Sequence, residues 1–150
     1  MKFSTRTLYG LKAILVLASR FGEGSVSVSH IAKKESLSVA YLEQILNALK
    51  KKGIVKSVRG PQGGYVLTKK PADITLENLF YTLNDESPAI VAGQNPGEQD
   101  EAGVANWIFW KKFQASIQEG LGGVSLKVLL DEARRIKKSK PGSQNQVFHI

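Results

Sequence analysis

Between Ser27 and Leu67 the sequence offers one compact run of signals: a short amphipathic helix, a three-residue turn, a second amphipathic helix, then two β-branched stretches around a glycine-rich tip. Ser27 can cap the first of these helices, with Val28, Ile31 and Ala32 facing inward and Lys33 and Lys34 outward. It ends near Glu35 and Ser36, Leu37 plugs the turn, and Ser38 can cap the next helix, which extends to about Lys52 before Gly53. Two helices joined this tightly form a helix-turn-helix. IVKSV at 54–58 and YVLT at 65–68 flank RGPQGG and predict a hairpin directly after the second helix, the position of a wing.

The flanks complete the expected architecture. A helix is predicted from Ser4 or Thr5 to about Phe21, with Leu8, Leu11, Leu15 and Ala18 at helical spacing and Ile14 and Leu17 widening the stripe; GEGS at 22–25 ends it. Thr75 caps a helix through Asn84 after Pro71 breaks the chain. Residues 85–105 are rich in Gly, Pro and acids and are expected to form a loop. A helix follows from Asn106 to Leu121, and Ser125 caps a last one. The fold class is therefore mostly α with a small β-hairpin. The expected divisions are a winged helix-turn-helix domain over 1–84, an acidic loop over 85–105, a helical region over 106–138 and a flexible tail over 139–150.

The charge is segregated. Within a net +8, residues 1–70 carry 13 Lys and Arg against 3 acids, residues 71–106 carry 7 acids and no Lys or Arg, and residues 107–150 carry 8 cations against 3 acids. A positive N-terminal half is what phosphate-backbone binding requires, whereas a merely soluble surface intersperses the signs. There is no cysteine, which removes disulfides, thiolate metal sites and cysteine-held clusters. His30 and His149 are far apart in sequence, so no metal or cofactor site is expected. No apolar run approaches the roughly 18 residues of a membrane span, and the expected location is the cytoplasm with no membrane partner.

In the second helix of the pair, Leu42, Ile45, Leu46 and Leu49 make the inward stripe and leave Ala40, Glu43, Gln44, Asn47, Lys50 and Lys51 outside. Ser38, Ala40, Glu43 and Gln44 lie near its N-terminal end, where a recognition helix meets base edges in the major groove of duplex DNA. Glutamine can pair with adenine in two bonds, and a glutamate can accept from the cytosine amino group. Lys50, Lys51 and Lys52 suit phosphates. In the hairpin tip Arg59, Gly60, Gln62, Gly63 and Gly64 form the wing: the glycines permit close backbone approach, and Arg59 can enter the minor groove or pair with phosphate. A phosphate-cradling loop is excluded because the glycines run into Tyr65 and a strand rather than into a helix. A nonspecific nucleic-acid or protein-interaction module remains the rival reading, and an enzyme the weakest one, since nucleophilic, metal and nucleotide chemistry all lack residues.

YLEQ at 41–44, SVRGPQGGYVL at 57–67 and the start MKFSTRTLYGLKA closely resemble the Rrf-type winged-helix regulators, the IscR-like and CymR-like family, over residues 1 to about 85. The resemblance implies a bacterial homodimeric transcription regulator, expected to repress, that binds an imperfect palindrome, with Glu43 and Arg59 as counterparts of base- or groove-contacting residues. Ala40 departs from the serine common in relatives. The best-known branch holds a [2Fe-2S] cluster through three cysteines that this chain lacks, so the resemblance is to the cluster-free branch linked to cysteine metabolism. That branch implies cysteine synthase or a small-molecule effector as a partner. Trp107, Trp110, Phe113, Ile117 and Leu121 exceed what an isolated exposed helix tolerates and must pack on something. In the family, the corresponding long helix crosses to the partner subunit, which makes these five the expected dimer interface.

Overall fold

The computed structural model describes residues 4–84 and 100–139; most of the acidic 85–105 segment, the tail from residue 140 and His149 lie outside the described residues. In chain order the elements are α1 (Thr5–Ser19), α2 (Val28–Glu35), α3 (Val39–Lys51), β1 (Val55–Val58), β2 (Gly64–Leu67), a 3-10 turn (Pro71–Asp73), α4 (Leu76–Leu83), α5 (Glu101–Leu121) and α6 (Leu126–Ser139).

Five helices start where a hydroxyl can take up an orphan backbone N–H, α6 among them, where Ser125 Oγ accepts from Val128 at 3.3 Å. Ser4 Oγ accepts from Thr7 N–H at 3.1 Å, Ser27 Oγ from His30 at 3.1 Å, Ser38 Oγ from Tyr41 at 3.4 Å and Thr75 Oγ1 from Asn78 at 3.1 Å. The turn between α2 and α3 is just as local. Ser36 takes the left-handed conformation (φ 56°), and the Leu37 N–H donates to the Ala32 carbonyl at 2.8 Å. Leu37, half-buried, then packs on the core just before α3, and Leu42 is fully buried one turn into that helix. This pair has the spacing of a hydrophobic staple, which sets the angle at which α3 enters.

The core of the head, residues 4–84, gathers Ala13, Ile14, Val16, Leu17 and Ala18 of α1, Ile31 and Ala32 of α2, and Leu42, Ile45, Leu46 and Leu49 of α3; Val55, Leu67 and Leu79 close it. In α1 this differs from the predicted stripe. Leu8 is 48% exposed and Leu11 and Leu15 are only partly buried, while Ala13 and Val16 are inside. The helix is apolar around most of its circumference, so periodicity alone could not choose the face; α3 and α4 packing on one side made the choice.

β1 and β2 pair antiparallel, Val55 with Leu67 through Val58 with Gly64. A third, single-residue rung comes from the α1–α2 connection: Val26 exchanges both backbone bonds with Tyr65, at 3.0 and 2.9 Å. Beyond the hairpin, Thr7 Oγ1 lies 3.3 Å from the Leu83 carbonyl oxygen and ties the start of α1 to the end of α4.

The C-terminal part joins the head along a short seam. Leu76 N–H donates to the Val124 carbonyl at 2.8 Å and Leu126 N–H to the Ile74 carbonyl at 2.9 Å, and Leu126 is wholly buried in the core. α5 starts earlier than the expected Asn106. Asp100 caps it by accepting from Gly103 N–H at 2.9 Å, and Glu101 in its first turn complements the helix dipole. Residues 101–105 therefore belong to the helix rather than to the predicted loop; EAGVA contains no large apolar residue and a glycine, so the start was invisible to periodicity.

Candidate nucleic-acid interface

The inward stripe of α3 leaves a polar face that the rest of the head does not cover. Ser38, Ala40, Glu43, Gln44, Asn47, Lys50 and Lys51 are all exposed. Ser38 spends its acceptor on the cap and keeps its hydroxyl proton for another partner. Glu43, Gln44, Lys51 and, in the wing, Arg59 make no hydrogen bond or ion pair with the described residues, so their bonding capacity is available. The other two acids of residues 1–70 differ from Glu43: Glu23 lies 3.4 Å from Arg20 and Glu35 lies 3.9 Å from Lys12. Among the described residues, Glu43 is thus the one carboxylate presented on this face.

Lys50 departs from a purely phosphate-facing role. Its ammonium donates to Ser57 Oγ on β1 at 2.8 Å, so it links α3 to the wing and keeps two further protons for another acceptor. Lys52, expected from the sequence to face phosphate, instead reaches the Thr82 carbonyl and fastens α3 to α4.

The wing tip is shaped from within. Gly60 has φ +118°, a conformation closed to most side chains, and the Gly63 N–H donates to its carbonyl at 2.9 Å. A Cβ at Gly64 would lie 2.2 Å from the Val26 carbonyl oxygen, and one at Gly63 would lie 2.5 Å from that of Val58. The close backbone approach read from these glycines is therefore to the protein itself, and Arg59, Pro61 and Gln62 are the exposed side chains the tip presents. A further anchor has no signal in the sequence: Ser25 Oγ donates to the Gln62 carbonyl at 2.6 Å, pinning the tip to the α1–α2 connection. No local pattern marks such a bond, since the partners are distant along the chain.

α5 supplies a second unoccupied surface. None of its residues is buried; Trp107, Phe113, Ile117 and Leu121 are partly covered, and Trp110 is 37% exposed. Phe109 and Ile108, outside the set expected from sequence, are 58% and 41% exposed. Phe109, Trp110 and Phe113 form an edge-to-face ladder with centroids 5.0 and 5.7 Å apart. The signal for Phe109 was available, because at 3.6 residues per turn it falls beside Phe113 at the edge of the same stripe.

Residues 3–132 match the Rrf2 family model, described as an iron-dependent transcriptional regulator. The chain is 34% identical over 131 residues to the transcriptional regulator CymR of Bacillus subtilis, covering 86% of this chain and 89% of that protein. To IscR of Aliivibrio salmonicida it is 32% identical over 130 residues, with 87% and 77% covered. Among solved structures, the global cysteine regulator CymR of B. subtilis superimposes with a TM-score of 0.70 at 33% identity, covering 88% of this chain and 98% of that one. T. potens IscR gives 0.73 at 35% identity, covering 99% and 95%.

The iron in the family description does not fit the donors present. The sequence holds no cysteine and two histidines, so no thiolate can carry a cluster. Among the described residues no three His, Asp or Glu are grouped to hold a metal ion, and the exposed His30 has its Nε2 3.4 Å from the Arg20 guanidinium, a cationic neighbour unfavourable to a metal.

Proposed function

The chain belongs to the Rrf2 family of transcriptional regulators, and on that premise we propose that it is a homodimeric repressor reading an imperfect palindrome without an iron-sulfur cluster. Each protomer lays α3 in the major groove, with Ser38, Glu43 and Gln44 toward base edges and Lys50 and Lys51 toward phosphates, while Arg59 enters the adjacent minor groove. The observation that carries this reading is the uncovered face of α3: Glu43, Gln44 and Lys51 unpaired among the described residues, with a wing braced beside it by the Lys50–Ser57 bond.

Dimerisation follows from α5. Its aromatic ladder is only partly covered among the described residues, and a second copy placed across a two-fold axis would bury it isologously while spacing two α3 helices for two half-sites. The regulated genes are those of cysteine or sulfur metabolism, a reading supported by the similarity to CymR, the global cysteine regulator. Its signal would then come from a small-molecule effector or from cysteine synthase, and its place of action is the cytoplasm. Among the described residues no helix is long and apolar enough to cross a membrane.

The test is recovery of bound genomic DNA, followed by binding to the recovered operator, to point-substituted operators and to random DNA across a salt series. The operator should bind at least about 10³-fold more tightly than random DNA. Glu43→Ala should flatten the ranking of substituted operators while leaving binding to random DNA equal or stronger, since a carboxylate near phosphates repels. Equal affinity for operator and random DNA would favour the rival, a nonspecific nucleic-acid module.

A further inference from the structure

α3 opens on a residue that belongs neither to its buried stripe nor to its polar face. Val39 is β-branched and aliphatic, yet it stays 44% exposed, while the buried stripe of the same helix runs through Leu42, Ile45, Leu46 and Leu49. The hydrophobic staple at this helix start is already made by Leu37 and Leu42, so Val39 is not needed to set the entry angle. Its neighbour Ala40 is also exposed and carries no polar side-chain atom. Two apolar side chains therefore stand together at the N-terminal end of a helix whose other exposed residues are polar or charged.

Helical geometry places Val39 with particular neighbours. At 3.6 residues per turn, Val39, Glu43 and Lys50 fall on one flank, and Lys50 shows which way that flank faces, because its ammonium bonds Ser57 of the wing. Val39 thus stands one turn before Glu43 on the wing side of the helix, at the end that goes deepest into a major groove. One turn advances about 5.4 Å and one base pair about 3.4 Å, so the two side chains reach adjacent or next-adjacent base pairs.

In the major groove the bases offer hydrogen-bonding atoms and a single apolar group, the C5-methyl of thymine. We propose that Val39, flanked by Ala40, is a specificity-determining residue that reads a thymine methyl within one or two steps of the base contacted by Glu43. The inference rests on the DNA-reading role proposed for α3 and adds to it an apolar letter beside the polar one.

The experiment uses the full chain and its recovered operator, with each thymine replaced in turn by deoxyuridine in both half-sites. That replacement deletes the methyl and keeps every hydrogen-bonding edge. For the wild-type protein one symmetric pair of positions near the Glu43-dependent base should lose about fourfold per half-site, or about fifteenfold for the pair, the worth of one buried methyl on each side. Val39→Ala, checked for folding by circular dichroism, should bind the thymine operator more weakly and lose its sensitivity at that position alone, while Val39→Ile should retain it. Cytosine at the same position should bind better once methylated at C5. A flat deoxyuridine scan on an operator that the wild type still prefers over random DNA overturns this inference and leaves the regulator reading standing, as does sensitivity that survives in Val39→Ala. Absence of any operator preference overturns both.

Discussion

In the head, Ile14, Ile31, Leu42 and Leu46 are wholly buried within one chain, and each helix hides its apolar stripe against the others. α5 is longer than any of them at 21 residues and holds both tryptophans, yet it buries none of its residues. The two regions have comparable apolar content and opposite fates. A helix stripe is stable only when something removes it from water. For the head that something is local: α1, α2 and α3 follow each other through short connections and meet. For α5 the packing among the described residues is mainly against α4, and the Phe109–Trp110–Phe113 ladder, only partly covered there, is the surface proposed to meet a second copy. The head should therefore fold as a unit whatever happens to α5, and the state of α5 should depend on protein concentration.

The sharpest way to break that contrast is to empty the head. Leu46→Ala removes a fully buried side chain at the meeting point of the head helices and should cost about 2–5 kcal/mol of stability, seen as a lower denaturant midpoint with an unchanged slope. A loss under about 1 kcal/mol would mean the head does not carry the fold alone.

On the other side of the contrast, Trp110→Asp should leave the head's helical circular dichroism intact and convert the proposed dimer to monomer at micromolar concentration. Truncating such an aromatic anchor costs about 2–4 kcal/mol, and a charge in the interface adds to that. Light scattering is the measurement; a dimer that survives Trp110→Asp would place the interface elsewhere.

Lys51→Ala should weaken binding to all DNA sequences alike and reduce the salt slope by about one unit for each phosphate it no longer neutralises. Lys50→Ala should do this and also loosen the wing, because the Lys50 ammonium holds Ser57. Comparing operator rankings for the two variants across salt separates pure phosphate attraction from the brace.

The smallest effect belongs to Tyr81 of α4, which is 7% exposed and whose hydroxyl is buried with no hydrogen-bond partner among the described residues. Tyr81→Phe should be neutral or stabilise by up to about 1 kcal/mol, since an unsatisfied buried hydroxyl costs free energy. Burial, and secondarily the Glu77 carboxylate, raise its pKa above the ordinary tyrosine value. The unfolded chain therefore ionises first: relative to that ionised form, the folded state's stability is full below pH about 10 and is lost as pH rises through the folded value. Tyr81→Phe should flatten that alkaline limb. Destabilisation by Tyr81→Phe would reveal a partner for the hydroxyl outside the described residues.

Much of the head could be read from the chain because its determinants act over three or four residues. Ser4, Ser27, Ser38 and Thr75 each cap the helix expected of them, since the cap bond joins a hydroxyl to a backbone N–H three positions on. The wing was equally legible from RGPQGG between β-branched stretches. Sequence reasoning failed where a choice depended on distant parts of the chain. In α1 it favoured Leu8 and Leu15 over Ala13 and Val16, and it placed the start of α5 at Asn106 because the first turn holds a small-residue stretch and the capping Asp100 looked like loop acid.

The candidate site divides along the same line. The polar face of α3, with Glu43, Gln44 and Lys51, is written into the sequence by helical periodicity, as are the lack of thiolates and the segregation of charge. Tertiary structure alone decided that Val39 stays exposed, that Lys50 reaches Ser57, and that Ser25 and Val26 clamp the wing. The physical reason is range. Caps, turns and stripes are set by neighbours along the chain, whereas exposure and bracing are set by whichever surfaces packing leaves uncovered once α1, α3 and the hairpin have met.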